Sequence, residues 1–530
     1  MFFIDTLDVP GLGNRGYLAG GARTAVVVDP PRDIDRVLGA AARRGVRIAH
    51  VVETHVHNDY VTGGLELARL TGADYHLPAG ARVSYPRVPV ADGDRTDIDT
   101  DLVLRAVATP GHTPHHTAYV LEETGTPVAA FTGGSLLIGT VGRPDLVEPR
   151  LTEDLARAQH ASVHRLAGEL PDSAAVLPTH GFGSFCSSGP GAAGAAGSTI
   201  GAERRGNGAL LQDADTFVAG LLASLGDIPA YYVHMGPLNA RGPAPVDLTP
   251  PAVADAAELA ARLAEGEWVV DLRSRTAYAA GHVAGTVNVE AGGQLATHLA
   301  WLVPWGRPVT LLAETPGQLA EAQRELVRVG IDRPAAAATG DVGDWLRDGD
   351  TARSFRRAAF ADLAAAAGDA SVAGDASVAG DASAGPLVVV DVRRESERAD
   401  QGWIAGSVPV PLHELRSRLS EIPPGTVWVH CAGGLRAAIG ASLLDAAGRE
   451  VVAVDDAFAA AEAAGLVVTG TGGDGVSRTS DTGGGVSRTS GTRGVSRTGA
   501  DGGILRTGAD GGTLRTGADG GTSCTSTPGI

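Results

Sequence analysis

The chain has 530 residues, a formal net charge of −18 at pH 7, and a hydrophobic content of 43%. This length predicts about three domains, and the composition is that of a globular protein with several cores. All basic side chains are arginines, because the sequence contains no lysine. The acidic balance disfavours nucleic acid and anionic membranes as partners, so small-molecule chemistry is expected.

The amino terminus and the cysteines predict a cytoplasmic protein without structural disulfides. Asp5 comes too soon for the apolar core of a signal peptide, and no apolar run is long enough to span a membrane. The three cysteines, Cys186, Cys431 and Cys524, lie far apart and are odd in number. A disulfide framework is therefore not expected.

The first part of the chain alternates β-rich runs with segments of helical spacing. A short run that stops at Pro30 is followed by helical spacing up to Gly45, where glycine can end the helix. A strand at 47–53, a helix at 61–71 and a further strand at 73–77 are predicted next. Alternation of this kind predicts an α/β layered domain.

The loop at 54–60 is the densest group of metal-capable side chains. His55, His57 and Asp59 follow the end of a predicted strand at alternate positions. Imidazole and carboxylate together suit zinc or iron. The alternative is a solvated loop with three polar residues, and only further ligands elsewhere in the chain can decide between the two.

Two later histidines stand at similar junctions between strand and loop. His112 follows a Pro-Gly turn between two predicted strands, and His180 comes directly after an apolar run and Pro-Thr. His115 and His116 are interpreted as local hydrogen-bonding groups. The recurrence of histidine at strand ends, together with Asp59, favours a metal site over a set of unrelated structural histidines.

Short motifs in this part of the chain resemble those of the metallo-β-lactamase superfamily. The order H-x-H-x-D, G-H-T and P-T-H-G is the order of that superfamily. The segments FTGGSLLI and GRPDL within 131–146, and PAYYVHM at 229–235, resemble the persulfide dioxygenase branch. The resemblance covers residues 1–245 and implies a four-layer αβ/βα sandwich.

Two positions depart from the superfamily pattern. Tyr60 stands where the first motif usually continues with histidine, and Gly134 stands where aspartate is usual. In the persulfide dioxygenases the iron is held by the counterparts of His55 and His112 and by that aspartate. Glycine has no side chain that can ligate, so the usual iron site is incomplete here. Asp145, nearby in sequence, is expected to form a salt link with an arginine instead.

The remaining donors still offer a pocket for one metal. His55, His57 and His112 are expected to form a three-histidine face with open positions for one divalent metal, iron in preference to zinc. The second pocket of the superfamily keeps only Asp59 and His180, which disfavours a two-metal hydrolase. A metal-free first domain is the alternative.

Residues 252–355 resemble a rhodanese domain. A strand ending in Asp271-Leu272-Arg273 and the turn G-H-V-A-G-T-V-N resemble the D-x-R strand and the G-H-I-x-G-A-x-N turn of rhodaneses. Rhodaneses place a nucleophilic cysteine at the end of a central strand, and the matching segment at 309–317 contains none. The resemblance implies a degenerate copy that serves packing, orientation or the shaping of a substrate path.

A second rhodanese-like unit is predicted at 386–466, and it carries Cys431 in the segment C-A-G-G-L-R. A glycine-rich loop before a helix directs backbone N–H groups and the positive helix end at the sulfur. These dipoles and Arg436 are expected to lower the pKa of the thiol. The resemblance is to an active rhodanese, with Cys431 as sulfur carrier and with Asp391 and Arg393 as structural supports. A buried structural cysteine is the alternative.

Low-complexity sequence surrounds this unit. A linker is predicted at 356–385, where GDASVA repeats from residue 368 have too little apolar surface to order themselves. The tail at 467–530 repeats VSRT and RTGADGG without aromatic residues, so disorder is predicted. These units are too short for a repeat fold.

The combined resemblance implies an enzyme of sulfur metabolism with two three-layer α/β/α rhodanese-like domains. The first domain would oxidise the persulfide of a low-molecular-weight thiol to sulfite with O₂ and iron, while Cys431 carries sulfane sulfur. The second hypothesis is a metal-dependent thioester hydrolase similar to the hydroxyacylglutathione hydrolases. The third is a metal-free first domain with sulfurtransferase activity alone. The expected partner is a thiol persulfide or another sulfane-sulfur donor, and a homodimer is an open assembly state.

Overall fold

The computed structural model of the protein describes residues 2–188, 197–372 and 386–468. Most of the predicted disordered tail, from 469 onward, and residues 373–385 of the predicted linker lie outside this range. None of the helices in the described ranges combines the length and the apolar character needed to cross a membrane.

In the described part of the first domain, the strands form two six-stranded sheets. The first sheet contains, in chain order across the sheet, β1 (Phe3–Val9), β2 (Asn14–Gly20), β3 (Thr24–Val28), β4 (Arg47–Val52), β5 (Asp74–Pro78) and β6 (Val88–Val90). The second contains, also in chain order, β7 (Arg95–Asp99), β8 (Leu102–Ala108), β9 (Thr117–Glu123), β10 (Thr126–Gly133), β11 (Ala175–Pro178) and β12 (Ser198–Thr199).

Helices cover the outer faces of both sheets. They are α1 (Ile34–Arg44), α2 (Gly64–Thr71), α3 (Thr152–Glu169), α4 (Ile200–Gly206), α5 (Gly208–Leu211), α6 (Ala214–Ser224) and α7 (Tyr232–Arg241). The predicted strand at 47–53 corresponds to β4, and the predicted helix at 61–71 begins later, at Gly64. Gly45 ends α1 in the left-handed conformation, with φ of 69°, as its position predicted.

Successive side chains along each strand point to opposite faces of its sheet, so the domain has one core between the sheets and further cores under the helices. Val26 and Val28 of β3 pack with Phe131 of β10 in a core between the two sheets. Val27 of β3 faces the other way and packs with Val37 of α1. The outer face of the second sheet packs on α3 and α6 in the same manner. The result is the predicted four-layer αβ/βα sandwich.

The next domain is a parallel sheet with helices on both faces. Its elements are α8 (Ala256–Ala264), β13 (Trp268–Asp271), α9 (Arg275–Ala280), β14 (Val287–Asn288), α10 (Leu295–Leu302), β15 (Val309–Ala313), α11 (Pro316–Val327) and β16 (Ala336–Thr339). The strand order is β14-β13-β15-β16. Leu311 faces α10 and α11, while Leu312 faces α8, which gives the predicted three layers.

The last domain repeats this architecture around the sheet β17-β22-β21-β18-β20. Its elements are β17 (Arg356–Ala358), α12 (Phe360–Val372), β18 (Leu387–Asp391), α13 (Glu395–Gln401), β19 (Trp403–Ile404), β20 (Val408–Pro409), β21 (Thr426–His430), α14 (Leu435–Ala446), β22 (Val451–Val454), α15 (Phe458–Ala463) and β23 (Val467–Val468). The short strands β19 and β23 pair with each other.

The segment predicted as a linker at 356–385 differs in its first half. Strand β17 pairs with β22, and α12 buries Phe360 and Leu363 against the last domain. The linker prediction rested on the repeats and overlooked the apolar residues Phe360 and Leu363 that precede them. Residues 356–372 are therefore regular structure of the last domain.

Polar contacts and apolar packing join the domains. Asp33 of the first domain pairs with Arg328 of the second at 2.7 Å. His282 of the second domain lies 3.1 Å from Asp445 on α14 of the last domain. The first domain is thus held on the second, and the second on the third, by buried polar pairs.

Candidate metal centre and cysteine loop

Three histidines from distant parts of the chain converge in the first domain. His55 follows β4, His112 lies between β8 and β9, and His180 follows β11. Because these strand ends meet at one edge of the two packed sheets, one nitrogen of each ring lies within 4.8 Å of the others. The Nε2 atoms of His55 and His180 are 3.5 Å apart. All three rings are buried.

The other ring nitrogen of His55 and of His112 has an oxygen partner. Nδ1 of His112 lies 2.8 Å from the carbonyl oxygen of Arg143. Nδ1 of His55 lies 2.9 Å from Oγ1 of Thr54, whose hydroxyl donates to Asp29 and therefore accepts from the imidazole. A proton on Nδ1 leaves Nε2 with a free lone pair, which is the arrangement of metal-ligating histidines.

His180 is oriented in the same way by Asp59 and Asn14. Its Nδ1 lies 3.2 Å from Oδ2 of Asp59 and 3.1 Å from Oδ1 of Asn14. Asn14 in turn donates from Nδ2 to Oδ2 of Asp59 at 2.8 Å. Burial alone would raise the pKa of Asp59. The electrostatic interaction and the hydrogen bond between Asp59 and His180 outweigh burial and hold the pKa of Asp59 below its usual range. Asp59 thus fixes the orientation of the His180 ring through its Nδ1 atom.

The donor set fits a metal ion. Burial, reinforced by neighbouring imidazoles, lowers the pKa of His55 well below its ordinary value and that of His112 to about 3. Both rings are therefore neutral at pH 7, the form that ligates. Ligand nitrogens at about 2.0–2.1 Å from a tetrahedral ion are about 3.4 Å apart. The separation of 3.5 Å between His55 and His180 matches this spacing.

The ring of His57 packs against that of His55, with centroids 4.1 Å apart, but its Nε2 faces two acids. Its Nε2 is 3.2 Å from Oδ1 of Asp29 and 3.2 Å from Oε2 of Glu53. Burial alone would lower the pKa of His57, but these carboxylates raise it to about 10. His57 also lies within 4.8 Å of ligand atoms of Asp59 and His180. The structure therefore brings His180, rather than His57, together with His55 and His112.

The ring of His112 occupies the space that a side chain at position 134 would need. A Cβ atom on Gly134 would lie 2.2 Å from Cδ2 and 2.7 Å from Nε2 of His112. The backbone N–H of Gly134 donates to Nε2 of His116 at 3.0 Å. His116 is thus a local hydrogen-bonding group, as the sequence predicted, and Gly134 is a steric requirement of this arrangement.

Tyr60 lies at the junction between the first and second domains. Tyr60 is buried in an apolar cluster with Ala296, Ala300 and Val329 of the second domain. Its hydroxyl donates to the backbone oxygen of Asp29 at 3.3 Å. The tyrosine that replaces the usual histidine therefore contributes to packing between domains.

Sequence reasoning missed three residues that support the histidines: Asn14, Asp29 and Glu53. One signal was available for Asp29, which directly follows β3, and β3 pairs in parallel with β4. The carboxyl ends of adjacent parallel strands meet, so an acid there is expected near the loop at 54–60. Asp145 forms its predicted salt link, with Nε of Arg143 at 2.7 Å.

In the last domain, Cys431 lies in a cradle of backbone amides. It follows β21, and its Sγ accepts from the N–H of Gly434 at 3.1 Å and from that of Gly433 at 3.5 Å. Gly434 has φ of 90°, and a Cβ there would lie 2.0 Å from Oδ1 of Asp455. Only glycine fits at this position, so the cradle depends on it.

Arg436 was expected to lower the pKa of Cys431, but its guanidinium pairs with a carboxylate. Its guanidinium binds the carboxylate of Glu397 through two hydrogen bonds of 2.7 and 2.6 Å. Burial would raise the pKa of Glu397, but Arg436 and Arg394 lower it to about 2. The charge of Arg436 is therefore largely compensated by Glu397, and the amides of the loop are the groups in contact with the sulfur of Cys431.

The Asp-x-Arg motifs support the same turn in both rhodanese-like domains. Arg393 binds Asp391 at 2.7 Å and the carbonyl oxygen of Gly402 at 2.8 Å. Arg273 binds Asp271 at 2.6 Å and another glycine carbonyl at 2.8 Å. Asp391 and Arg393 thus have the structural role that the sequence predicted, and Asp271 and Arg273 make the same contacts in the other domain.

Comparison with known proteins agrees with this architecture. Residues 255–348 and 376–464 each match the rhodanese-like domain family. A solved metallo-β-lactamase from Staphylococcus aureus subsp. aureus COL has a TM-score of 0.57 at 24% identity, and covers 64% of this chain and 99% of that structure. The protein thus combines an amino-terminal metallo-β-lactamase fold with rhodanese-like domains, as predicted.

Two kinds of curated enzyme are similar to this chain. It is 34% identical over 163 residues to a hydroxyacylglutathione hydrolase from Pseudomonas syringae pv. syringae (strain B728a), a match to 30% of this chain and 58% of that protein. It is 31% identical over 189 residues to the mitochondrial persulfide dioxygenase ETHE1 of Homo sapiens, a match to 32% of this chain and 64% of that protein. The chain spans about three fifths of the length of these relatives.

Proposed function

We propose that this protein oxidises the persulfide of a low-molecular-weight thiol to sulfite and exchanges sulfane sulfur through Cys431. The observation that carries the proposal is the pairing of two centres in one chain. One is a set of buried, converging imidazoles, and the other is a cysteine in an amide cradle. The similarity to a persulfide dioxygenase supports the first activity, and the rhodanese match supports the second.

His55, His112 and His180 are the residues that would hold the metal. Three nitrogen ligands leave open positions, and iron is favoured over zinc because the reaction is an oxidation. When bound, iron supplies redox chemistry with O₂. Asp59 and the carbonyl group of Arg143 orient His180 and His112 toward that ion.

The overall oxidation balances with O₂ as the oxidant. One persulfide RSSH, one O₂ and one H₂O give RSH and sulfurous acid, which ionises to sulfite. The sulfane sulfur is oxidised, the S–S bond breaks, and the thiol is released. Because the histidine cluster is buried, the first domain excludes bulk water from this chemistry.

Cys431 carries sulfur without a change of oxidation state overall. Its thiolate attacks the outer sulfur of a donor such as thiosulfate, a new S–S bond forms on Cys431, and sulfite leaves. A thiolate RS⁻ can then attack the outer sulfur of this persulfide, so that RSS⁻ forms and the cysteine leaves as thiolate. The N–H groups of Gly433 and Gly434 stabilise the negative charge in both states.

Thioester hydrolysis is the second candidate, favoured by the similarity to hydroxyacylglutathione hydrolases. A metal held by His55, His112 and His180 would supply Lewis-acid activation of water for this reaction. Tyr60 and Gly134 remove two side chains of the usual two-metal arrangement, and this weakens the hydrolase proposal. A metal-free first domain with sulfurtransferase activity alone is the third.

Metal analysis of protein purified without chelators tests these proposals together with substrate turnover. Stoichiometric iron with O₂ uptake that depends on glutathione persulfide is the expected result. Zinc with thioester turnover would favour the hydrolase, and absence of metal would leave only the transferase. Cys431→Ser should abolish sulfur transfer from thiosulfate, with Cys524→Ser as the matched control. Retained transfer in Cys431→Ser would overturn the role of the loop.

A further inference from the structure

A cavity of about 790 Å³ lies where the three domains meet. Arg143 and Gly181 contribute from the first domain, and His298 and Trp301 contribute from α10 of the second. The last domain contributes residues of α13 together with Arg436. A volume of this size suits a small molecule, for which protein cavities typically measure about 300–1,000 Å³.

The wall of this cavity includes the immediate neighbours of both candidate centres. Gly181 follows His180 directly, and the carbonyl group of Arg143 accepts from His112. On the opposite side, Arg436 lies in the first turn of α14, directly after the loop of Cys431. The histidines and Cys431 are themselves buried and do not line the cavity, so its wall reaches both centres through these neighbouring residues.

The charges on the wall suit a small polar molecule with groups of both signs. Arg394 and Arg436 share the single carboxylate of Glu397, which leaves one positive charge in excess at this point. Asp227 and Asp400 line the cavity and add negative charge. A thiol that bears both carboxylate and ammonium groups matches this distribution.

His298 is a buried polar residue of this wall. The side chain is 7% exposed, and within the described ranges its ring has no hydrogen-bond partner. Burial and the nearby charge of Arg436 lower the pKa of His298 to about 4. The ring is therefore neutral at pH 7, with one donor and one acceptor available to a molecule in the cavity.

We propose that this cavity binds the low-molecular-weight thiol and its persulfide between the two centres, with His298 hydrogen-bonding the bound molecule. The inference rests on the proposed function and names the place where its substrate is held. It also gives the domain without cysteine a role, because that domain supplies His298 and Trp301. Here His298 is a binding residue and takes no part in bond breaking.

The sulfur exchange between the small thiol and Cys431 balances without an oxidant. The thiolate RS⁻ attacks the outer sulfur of the Cys431 persulfide, the new S–S bond forms on the small thiol, and the cysteine leaves as thiolate. The product RSSH is then the substrate of the first domain. A molecule of this class can therefore take sulfur from one centre and deliver it to the other.

The test uses the full chain with its metal, and glutathione and glutathione persulfide as probes. We expect His298→Ala to weaken glutathione binding by about fivefold or more in titration calorimetry, because one hydrogen bond is lost. The KM for glutathione persulfide should rise by a similar factor, while kcat and metal content stay near their wild-type values. Ser396→Trp, at an exposed position of the wall, should obstruct the cavity and weaken both. The control is His164→Ala, an exposed histidine on α3 that should change neither.

The outcomes separate this inference from the proposed function. Wild-type binding and KM in both His298→Ala and Ser396→Trp would overturn the cavity while leaving persulfide oxidation intact. Binding of glutathione that depends on His298, without any persulfide-dependent O₂ uptake, would support the cavity and overturn the oxidation. If the wild-type chain binds neither glutathione nor cysteine at millimolar concentration, the cavity is not a site for such a thiol.

Discussion

Nε2 of His55 lies 3.5 Å from Nε2 of His180, although the two residues are 125 positions apart in the chain. The opposite nitrogen of each ring faces an oxygen atom, on Thr54 for His55 and on Asp59 for His180. Two imidazoles that face each other in this way, both buried and with His112 beside them, present lone pairs to one point. This relationship defines the candidate metal centre more closely than the H-x-H-x-D motif.

Replacement of His180 by alanine should reduce the metal content of the purified protein. Removal of a residue that only orients a ligand typically lowers metal affinity by about 10- to 100-fold, and loss of a ligand should exceed this. Elemental analysis after dialysis against a weak chelator measures the effect. His164→Ala, with its exposed ring on α3, serves as the control. Full metal retention in His180→Ala would show that His180 is not a ligand.

Introduction of aspartate at position 134 should not raise the affinity of the centre for metal. A Cβ atom at Gly134 would come within 2.2 Å of the ring of His112, so the substitution must displace a candidate ligand. We expect Gly134→Asp to lose metal and to unfold more easily, by about 1–3 kcal/mol in chemical denaturation. Gly220→Ala on α6, where an added Cβ meets nothing within 4 Å, should be neutral or slightly stabilising. Increased iron affinity in Gly134→Asp would contradict this account.

The two glycines after Cys431 should respond differently to alanine. Gly434 has φ of 90°, and its added Cβ would meet Asp455, whereas an added Cβ on Gly433 meets nothing within 4 Å. We expect Gly434→Ala to lower thiosulfate sulfurtransferase activity at least about tenfold, because the strained backbone no longer points its N–H at the sulfur. Gly433→Ala should retain most of the activity. Equal effects of the two substitutions would argue against the amide cradle.

Glu397 should contribute to stability in a pH-dependent way. Its pKa in the folded state is about 2, against an ordinary value of 4.5, because Arg436 and Arg394 outweigh the effect of burial. A depressed pKa stabilises the folded state above pH 4.5, and this contribution is lost as the pH falls from 4.5 toward 2. Glu397→Gln should therefore cost about 1–3 kcal/mol at pH 7 and progressively less below pH 4.5.

Denaturation of wild type and Glu397→Gln across pH 3 to 7 measures the difference between their free energies of unfolding. Glu414→Gln is a useful control, since its carboxylate binds Arg418 at the surface, where an ion pair contributes little. A difference between wild type and Glu397→Gln that does not shrink toward pH 3 would contradict the assignment.

The sequence by itself determined the order of the domains, much of the secondary structure and the positions of the reactive groups. Strand alternation and helical spacing are local properties, so they predicted β4, α1 and the cysteine loop without knowledge of the fold. Histidines at strand ends were recognisable for the same reason. The Asp-x-Arg motifs were equally clear, because each arginine binds an aspartate two positions away.

Only the tertiary structure decided which side chains meet. The sequence predicted His57 as the third ligand beside His55 and His112, but Nε2 of His57 faces the buried carboxylates that directly follow β3 and β4. His180 takes its place in the group. Arg436 was expected to act on Cys431, but Glu397 from another helix binds it. The packing of Tyr60, the contact of the His112 ring with Gly134, and the cavity beside His298 all involve residues far apart in the chain. Ring orientation, charge compensation and cavity shape depend on such distant neighbours, and a local pattern in the sequence does not contain them.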